Sequence, residues 1–265
     1  MNELRELAVS VATESAALAS RMRSEGVDVA ATKSSSTDVV TKADQATERR
    51  IRDLIADARP NDAILGEEGD SVEGSSGLTW VVDPIDGTVN YLYGIPQWAV
   101  SVAVVEGDPD PATWTTLAGC VTAPALDEVY SAAAGSGATL NGTPLHVEPV
   151  NDLGQALLAT GFGYAAERRR AQGAVVAQIL PQVRDIRRIG SAALDLCGVA
   201  TGRVDAYYEW GTKPWDHAAG ALVAREAGAW VGGLDDDSRE GESMIIAAHP
   251  DIAAPLRAAL RDAGA

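Results

Sequence analysis

Cysteine is scarce. The chain of 265 residues has only Cys120 and Cys197, in the unrelated apolar settings LAGCVTA and LDLCGVA. They build neither a disulfide framework nor a Cys-x-x-Cys metal site. Buried free thiols are expected, and with them a cytoplasmic location. The three histidines, His146, His217 and His249, are scattered without the spacing that zinc requires. Lysine and arginine number 21 against 38 acidic residues, a formal net charge of -17. Nucleic acid and anionic membranes both demand basic surface, so neither is expected as a partner. No uncharged apolar run is long enough to span a bilayer. The opening MNELRELAVSVATESAALAS lacks the basic region, apolar block and cleavage site of a signal peptide. There is no fixed-period repeat. GSGAT and IGSAA lack the Gly-x-Ser-x-Gly form of a nucleophile elbow.

What is present is a patterned globular sequence, 46% hydrophobic and 22% charged, long enough for a sizeable core. Leu4, Leu7, Ala8, Val11 and Leu18 mark one face of an N-terminal helix. A second helix fits Asp44 to Ala58, ending before Pro60. DAILG, TWVVD, WAVSVAVVEG, LAGCVTA and EVYSAAA read as strands, and LNGTPL carries an Asn-Gly turn signal. Further on, ALLATG, VRDIRRI, VDAYYE and SMIIAAH read as strands. They alternate with helices over AAERRRAQGAVVAQIL, SAALDLCGVATG, Trp215 to Ala227 and the tail. Gly69 to Gly77 is the one loose stretch. Strands in the middle and alternating helices elsewhere indicate a layered mix of α and β.

Three groups of acids stand at predicted element ends. In WVVDPIDGTVNYLYG, the residue before Pro84 is pushed toward extended geometry, which holds Asp83 at the end of its strand. Pro84 fixes its own φ. The turn aims Asp83, Asp86 and the Ile85 carbonyl at one point, an oxygen-only set suited to a hard cation such as Mg²⁺. Gly87 lets backbone approach a ligand, and a helix starting at Thr88 would face the same point with N–H groups suited to phosphate. GEEGD follows a short strand, and Asp216 opens a helix. Taken alone, the first is an ordinary acidic loop and the second an N-cap, just as Asp44 is an ordinary helix-start acid. If they converge, like charges need a cation among them.

These motifs together resemble the inositol monophosphatases, a Mg²⁺-dependent, lithium-sensitive phosphatase superfamily. The matching segments are KSSSTDVVTKAD, GEE, WVVDPIDGTVNYLYGIP, RRIGSAALDLC and DAYYEWGTKPWDHAAGALVAREAGA, which span most of the chain. The last two are closest to inositol-1-monophosphatases. The resemblance implies an αβαβα sandwich over residues 1–265 as a single domain of two intimate lobes. Roughly 1–150 would hold the metal-binding acids, and 151–265 the positions that bind the substrate ring. It implies that Glu67, Asp83 and the Ile85 carbonyl hold one Mg²⁺, that Asp83, Asp86 and Asp216 hold a second, and that a third sits near Glu67. Asp44 and Thr88 would prepare the attacking water, with Glu67 also catalytic. Asp86, Gly87, Thr88, Gly190, Ser191, Ala192, Glu209 and Asp216 would bind substrate. Glu209 would accept hydrogen bonds from a polyol, although a strand-end acid has an equally plain reading as exposed surface. Lys33 would lie near the metal site, or be a solvated loop lysine.

The implied reaction is hydrolysis of inositol 1-phosphate by a cytoplasmic homodimer. Fructose 1,6-bisphosphate, histidinol phosphate and 3′-phosphoadenosine 5′-phosphate are rival substrates, and a regulatory binding protein is the rival class. TGFGYAAERRR has a faint dinucleotide-loop form but opens no βαβ unit and is set aside; Arg168 to Arg170 read as a solvated helix face.

Overall fold

The computed structural model of the chain describes residues 1–27, 29–32, 39–241 and 243–265. Lys33 and the serines after it lie outside them. The elements run α1 (Asn2–Glu25), β1 (Val29–Thr32), β2 (Val39–Thr41), α2 (Lys42–Ala58), β3 (Ala63–Gly66), β4 (Leu78–Asp86) and α3 (Thr88–Tyr93). Then come β5 (Ala99–Glu106), β6 (Thr115–Ala123), β7 (Glu128–Ala133), β8 (Ala138–Leu140), β9 (Thr143–Pro144) and β10 (Leu157–Thr160). The rest are α4 (Ala166–Ile179), β11 (Asp185–Arg187), α5 (Ala192–Ala200), β12 (Ala206–Trp210), α6 (Pro214–Glu226), β13 (Trp230–Gly232), β14 (Met244–Ala248) and α7 (Pro250–Asp262).

A seven-stranded sheet has the order β3-β4-β5-β6-β7-β8-β9, and a five-stranded sheet the order β11-β10-β12-β14-β13. β3 and β4 run parallel, while β4 through β9 form an antiparallel meander. Three layers of helix enclose the two sheets. Ala8, Val11, Ala12, Ile51 and Ile55 of α1 and α2 pack on Trp80, Val82, Val100, Val102 and Val104. On the other face, Val81, Ala99, Ala103 and Val121 meet Ala193, Cys197, Ala218 and Leu222 of α5 and α6. The same two helices turn Leu196, Val199, Ala221 and Ala224 toward Ala159, Tyr207, Ile245 and Ala247 of the second sheet. α4 and α7 cover its far side through Val175, Ile179, Ile252 and Leu256. The order is the expected αβαβα sandwich. Strands covered on both faces have no need to alternate, which is why AVSVAVVE is apolar almost throughout. Each fully buried Val or Ile contributes about 1.5–3 kcal/mol.

Local outcomes differ from the sequence reading in places. The most buried stripe of α1 is Ala8, Val11, Ala12, Ala16 and Ala19, with Leu4 and Leu7 only packed at its edge; small residues let the helix lie close to the sheet. Gly69 to Gly77 is pinned: Val72 exchanges backbone hydrogen bonds with Ile64 at 2.9 Å, and the N–H groups of Ser75 and Ser76 donate to the Asn61 carbonyl. The β1–β2 pair and β13 had no distinct pattern in the sequence.

β4 also runs past Asp83. Its pairing with β5 goes from Asp83↔Ser101 to Asp86↔Ala99, so Pro84 and Ile85 form a bulge. An extra residue on one strand changes which side chains share a face. Opposite partners point the same way, and Ala99 faces α5 and α6, while the Ser101 hydroxyl donates to the Trp215 carbonyl of α6 at 3.3 Å. Asp83 and Asp86 therefore both face the middle helical layer.

That layer comes close to the sheet at Gly119, which has no side chain. A Cβ added at Gly119 in β6 would lie 3.0 Å from Ala219 Cα and 3.2 Å from its Cβ. Gly119→Val is expected to lower stability by about 1–3 kcal/mol through overpacking. Urea unfolding checks this, and an unchanged midpoint would show that α6 can move away freely.

Candidate active site

Each acid is held by the end of an element. In α2, Thr41 is the N-cap and Asp44 the third helical residue, and the two form a capping box. The Thr41 N–H donates to Asp44 Oδ2 at 2.8 Å, and the Thr41 hydroxyl donates to the same oxygen. The other oxygen, Oδ1, accepts from the Thr88 hydroxyl at 3.2 Å, and that hydroxyl also reaches the Ile85 carbonyl at 3.0 Å. Asp44 is 0% exposed. Burial pushes it up to about 6, against the hydrogen bonds from Thr41, with the charge of Glu68 adding to the rise.

Asp216 repeats the device. It is the third residue of α6, after Lys213 as N-cap and Pro214 at the first position, and its Oδ2 accepts the Lys213 N–H at 2.6 Å. Asp86 is tied across the fold. Its Oδ2 accepts the Ser191 hydroxyl at 2.6 Å and the Ala193 N–H at 2.7 Å, at the start of α5. Ser191 in turn caps that helix by accepting the Leu194 N–H at 3.2 Å. Asp83 accepts the Ile85 N–H across the bulge at 2.9 Å, and Glu67, just after β3, lies within hydrogen-bonding reach of it.

Burial, then the charges of Glu67, Asp86 and Asp216, raise Asp83 well above the usual carboxylate range. Asp216 is raised by desolvation and by the charges of Asp86 and Glu67. Asp86 is pushed up to about 6 by burial, against its bonds from Ser191 and the start of α5. These acids share one field, although among the described residues no three acid, cysteine or histidine side chains close on a single point as a finished ligand shell.

Gly87 sits at φ 96° as the N-cap of α3, a backbone region that favours glycine. A Cβ there would meet the Gln97 carbonyl at 3.0 Å and the Gly190 carbonyl at 3.2 Å. Gly190, Ser191 and Ala192 thus stand beside the β4 turn. Asn90 locks this contact by donating to the Gln97 carbonyl at 2.6 Å and the Ile189 carbonyl at 3.0 Å. Sequence reasoning passed over Asn90, although a polar residue inside the apolar TVNYLY was a signal.

Glu209, at the end of β12, is half-buried rather than an exposed strand-end acid. The Tyr207 hydroxyl donates to its Oε2 at 3.0 Å. Desolvation pushes it up to about 7, against Tyr207 and the charges of Arg188 and Arg168. Its carboxyl fills the space where a Gly161 Cβ would be, 1.8 Å from Oε2. Arg168 lies over Gly163 and Gly211, so the glycines of TGFGY make room for side chains. Asp195 of α5 is 1% exposed and raised well above its usual range by burial, then by Glu209 and Asp86.

A pH dependence follows. Glu209, Asp83, Asp195 and Asp216 have raised folded values, so the folded chain binds more protons than the unfolded one and stability is lost as pH rises through those values. His217, held down at about 4 by burial, has the opposite sign but acts only below its unfolded value of about 6.5. Between about pH 6.5 and 8 in EDTA, Tm is expected to fall by at least about 2 °C. Calorimetry checks this, and a flat or rising Tm would contradict it.

Comparison with known proteins supplies the frame. The model of the inositol monophosphatase family matches residues 1–264. A relative from Mycobacterium leprae, named inositol-1-monophosphatase, is 48% identical over 98% of this chain and 94% of its own. The solved structure of Mycobacterium tuberculosis SuhB has a TM-score of 0.83 and 46% identity, covering 99% of this chain and 97% of that one. A relative from Escherichia coli named Nus factor SuhB is 36% identical over 99% of this chain and 97% of its own.

Proposed function

The chain belongs to the inositol monophosphatase family, a family of phosphatases, and from that premise we propose that it is a Mg²⁺-dependent phosphomonoesterase acting on inositol 1-phosphate. The observation that carries the reading is the shared field of Glu67, Asp83, Asp86 and Asp216 beside the Asp44–Thr88 pair.

The donor chemistry fits Mg²⁺, because carboxylates and a carbonyl are hard oxygen ligands. Glu67, Asp83 and the Ile85 carbonyl would hold one ion, and Asp83, Asp86 and Asp216 a second. A third would sit near Glu67. The single Thr88 hydroxyl proton is within reach of both Asp44 Oδ1 and the Ile85 carbonyl, and when it is donated to Asp44 the carbonyl lone pairs are left for the ion. When bound, the ions supply Lewis acidity toward phosphoryl oxygen and water and offset charge on the departing alkoxide.

The chain's own groups do the rest. The Thr88 hydroxyl donates to Asp44 Oδ1 and presents its oxygen lone pair to the attacking water, so a proton moves from water to Thr88 and from Thr88 to Asp44. An acid pushed up to about 6 is a competent base near neutral pH. The N–H groups of Gly87 and Thr88 hold phosphate oxygens. Gly190, Ser191 and Ala192 wall the leaving-group side, where Glu209 and Asp216 meet ring hydroxyls. The reading includes the homodimer, the cytoplasmic location and lithium sensitivity that the family resemblance implies. The Escherichia coli relative's name motivates a second reading, a binding role toward a macromolecule; a net charge of -17 favours a protein over nucleic acid as that partner.

Phosphate release from inositol 1-phosphate, fructose 1,6-bisphosphate, histidinol phosphate and 3′-phosphoadenosine 5′-phosphate, with Mg²⁺ and with EDTA, tests the first reading. Mg²⁺-dependent turnover with the highest kcat/KM on inositol 1-phosphate is expected. Asp86→Asn should lower kcat/KM by at least about 100-fold while Tm in EDTA holds or rises, because a crowded charge is relieved. Preference for another ester overturns the substrate, and absence of turnover on all of them overturns the enzyme.

A further inference from the structure

The turn that carries Glu67 is wrapped around a buried carboxylate from another element. Glu48, on α2, is 2% exposed. Its Oε2 accepts the Glu68 N–H at 2.7 Å, and its Oε1 accepts the Gly69 N–H at 2.8 Å. One turn further along α2, Arg52 Nε donates to Oε1 at 2.8 Å, and another guanidinium nitrogen lies 2.7 Å from it. The backbone immediately after Glu67 is thus tied to α2 by two charge-assisted hydrogen bonds, each stronger than a neutral one.

The flanking glycines exist for the same clamp. A Cβ at Gly66 would lie 2.7 Å from Glu48 Oε1 and 2.8 Å from the Arg52 guanidinium, and one at Gly69 would lie 2.9 Å from Oε1. Neither position has positive φ, so what requires glycine is the closeness of the carboxylate. In Gly66-Glu67-Glu68-Gly69, the first and last residues leave room for Glu48, the third donates to it, and the second is within hydrogen-bonding reach of Asp83.

We propose that Glu48, fixed by Arg52, is the positioning residue for Glu67: it sets the path of the turn and thereby the aim of the Glu67 carboxylate toward Asp83. The inference rests on the reading of Glu67 as a metal ligand. α2 then contributes to the site twice, directly through Asp44 and indirectly through Glu48, which are four residues and about one turn apart.

The test is Mn²⁺ binding, used as a spectroscopic probe for the Mg²⁺ site, with free Mn²⁺ read by electron paramagnetic resonance. Four variants are compared with the parent. Glu48→Gln replaces one acceptor by a donor facing an N–H or the guanidinium. Gly69→Ala pushes on the same carboxylate from the other side and serves if Glu48→Gln does not fold. Glu67→Gln removes the ligand itself. Asp62→Asn weakens the acceptor of the Trp80 indole and Arg59 near the start of β3, and so controls for loss of stability alone.

Glu48→Gln and Gly69→Ala are expected to weaken Mn²⁺ binding about tenfold, as loss of a supporting contact does at metal sites. Asp62→Asn should leave it unchanged at a similar Tm. The Mg²⁺ concentration for half-maximal activity should rise about tenfold, with kcat at saturating Mg²⁺ within about threefold of the parent. Parent-like Mn²⁺ binding by both clamp variants, with Glu67→Gln weakened, overturns the clamp and spares the ligand assignment. Parent-like binding by Glu67→Gln overturns the assignment itself.

Discussion

Asp83 and Asp86 are three residues apart, and a regular strand sends such residues to opposite faces of its sheet. The bulge at Pro84–Ile85 reverses that parity, because Asp83 and Asp86 oppose Ser101 and Ala99, which share one face. Without the extra residue, one acid would point into the apolar layer of Trp80, Val82 and Val102, where a charge finds no partner. Proline suits this position because it brings no N–H to a ladder that is already interrupted. The bulge also lets the Ile85 N–H bond to Asp83 and brings the Ile85 carbonyl within reach of the Thr88 hydroxyl, which links β4 to Asp44.

Gathering acids on one face creates the problem that the surrounding helices answer in part. Asp44 and Asp216 each accept the N–H of their own N-cap, and Asp86 accepts donors at the start of α5. Hydrogen bonds to a charged group are worth about 1.5–3 kcal/mol each, and a helix N-terminus adds about 0.3–1 kcal/mol toward an anion. Removing a carboxylate from water costs several kcal/mol. The helix ends therefore reduce the penalty without cancelling it, and Asp83, Asp86 and Asp216 all remain raised. Neutralising such a cluster takes protons or cations, and these compete for the same oxygens.

The signals that were local in sequence were legible. DPIDGT, TKAD and KPWD stood out as acids at element ends, but the details differed: β4 continues through a bulge to Asp86 rather than ending at Asp83, and Asp216 is the third residue of α6 rather than its N-cap. Helix-cap and functional roles had looked like alternatives for Asp44. Its geometry shows that one oxygen serves the cap while the other meets Thr88. What escaped reading was non-local. Glu48 had no visible role because the turn that it holds lies 20 residues away. The dinucleotide-loop reading of TGFGYAAERRR was set aside on the sequence, but what Gly161 does instead, leaving room for the Glu209 carboxyl, had no local signal. Beyond Ala8, the alanine stripe of α1 (Ala12, Ala16 and Ala19) was passed over because hydrophobicity favours leucine, whereas the layer spacing favours a small residue.

Glu209 shows how such non-local packing can bear on selectivity. Among the described residues its half-buried carboxyl accepts a hydrogen bond from Tyr207, and it feels the opposite charges of Arg188 and Arg168 and the like charge of Asp86. Pushed up to about 7, it is present both as acid and as carboxylate near neutral pH, so it can donate to or accept from a hydroxyl. In the proposed reading, a polyol satisfies it in either state. An ester whose alcohol lacks a hydroxyl there would desolvate the group without replacing its bonds to water. Such a mismatch discriminates more strongly than a missing apolar contact. Selectivity would then arise from the penalty on the wrong ester, set by the residues that keep Glu209 half-buried: Tyr207 beneath it and the bare backbone of Gly161 at its side.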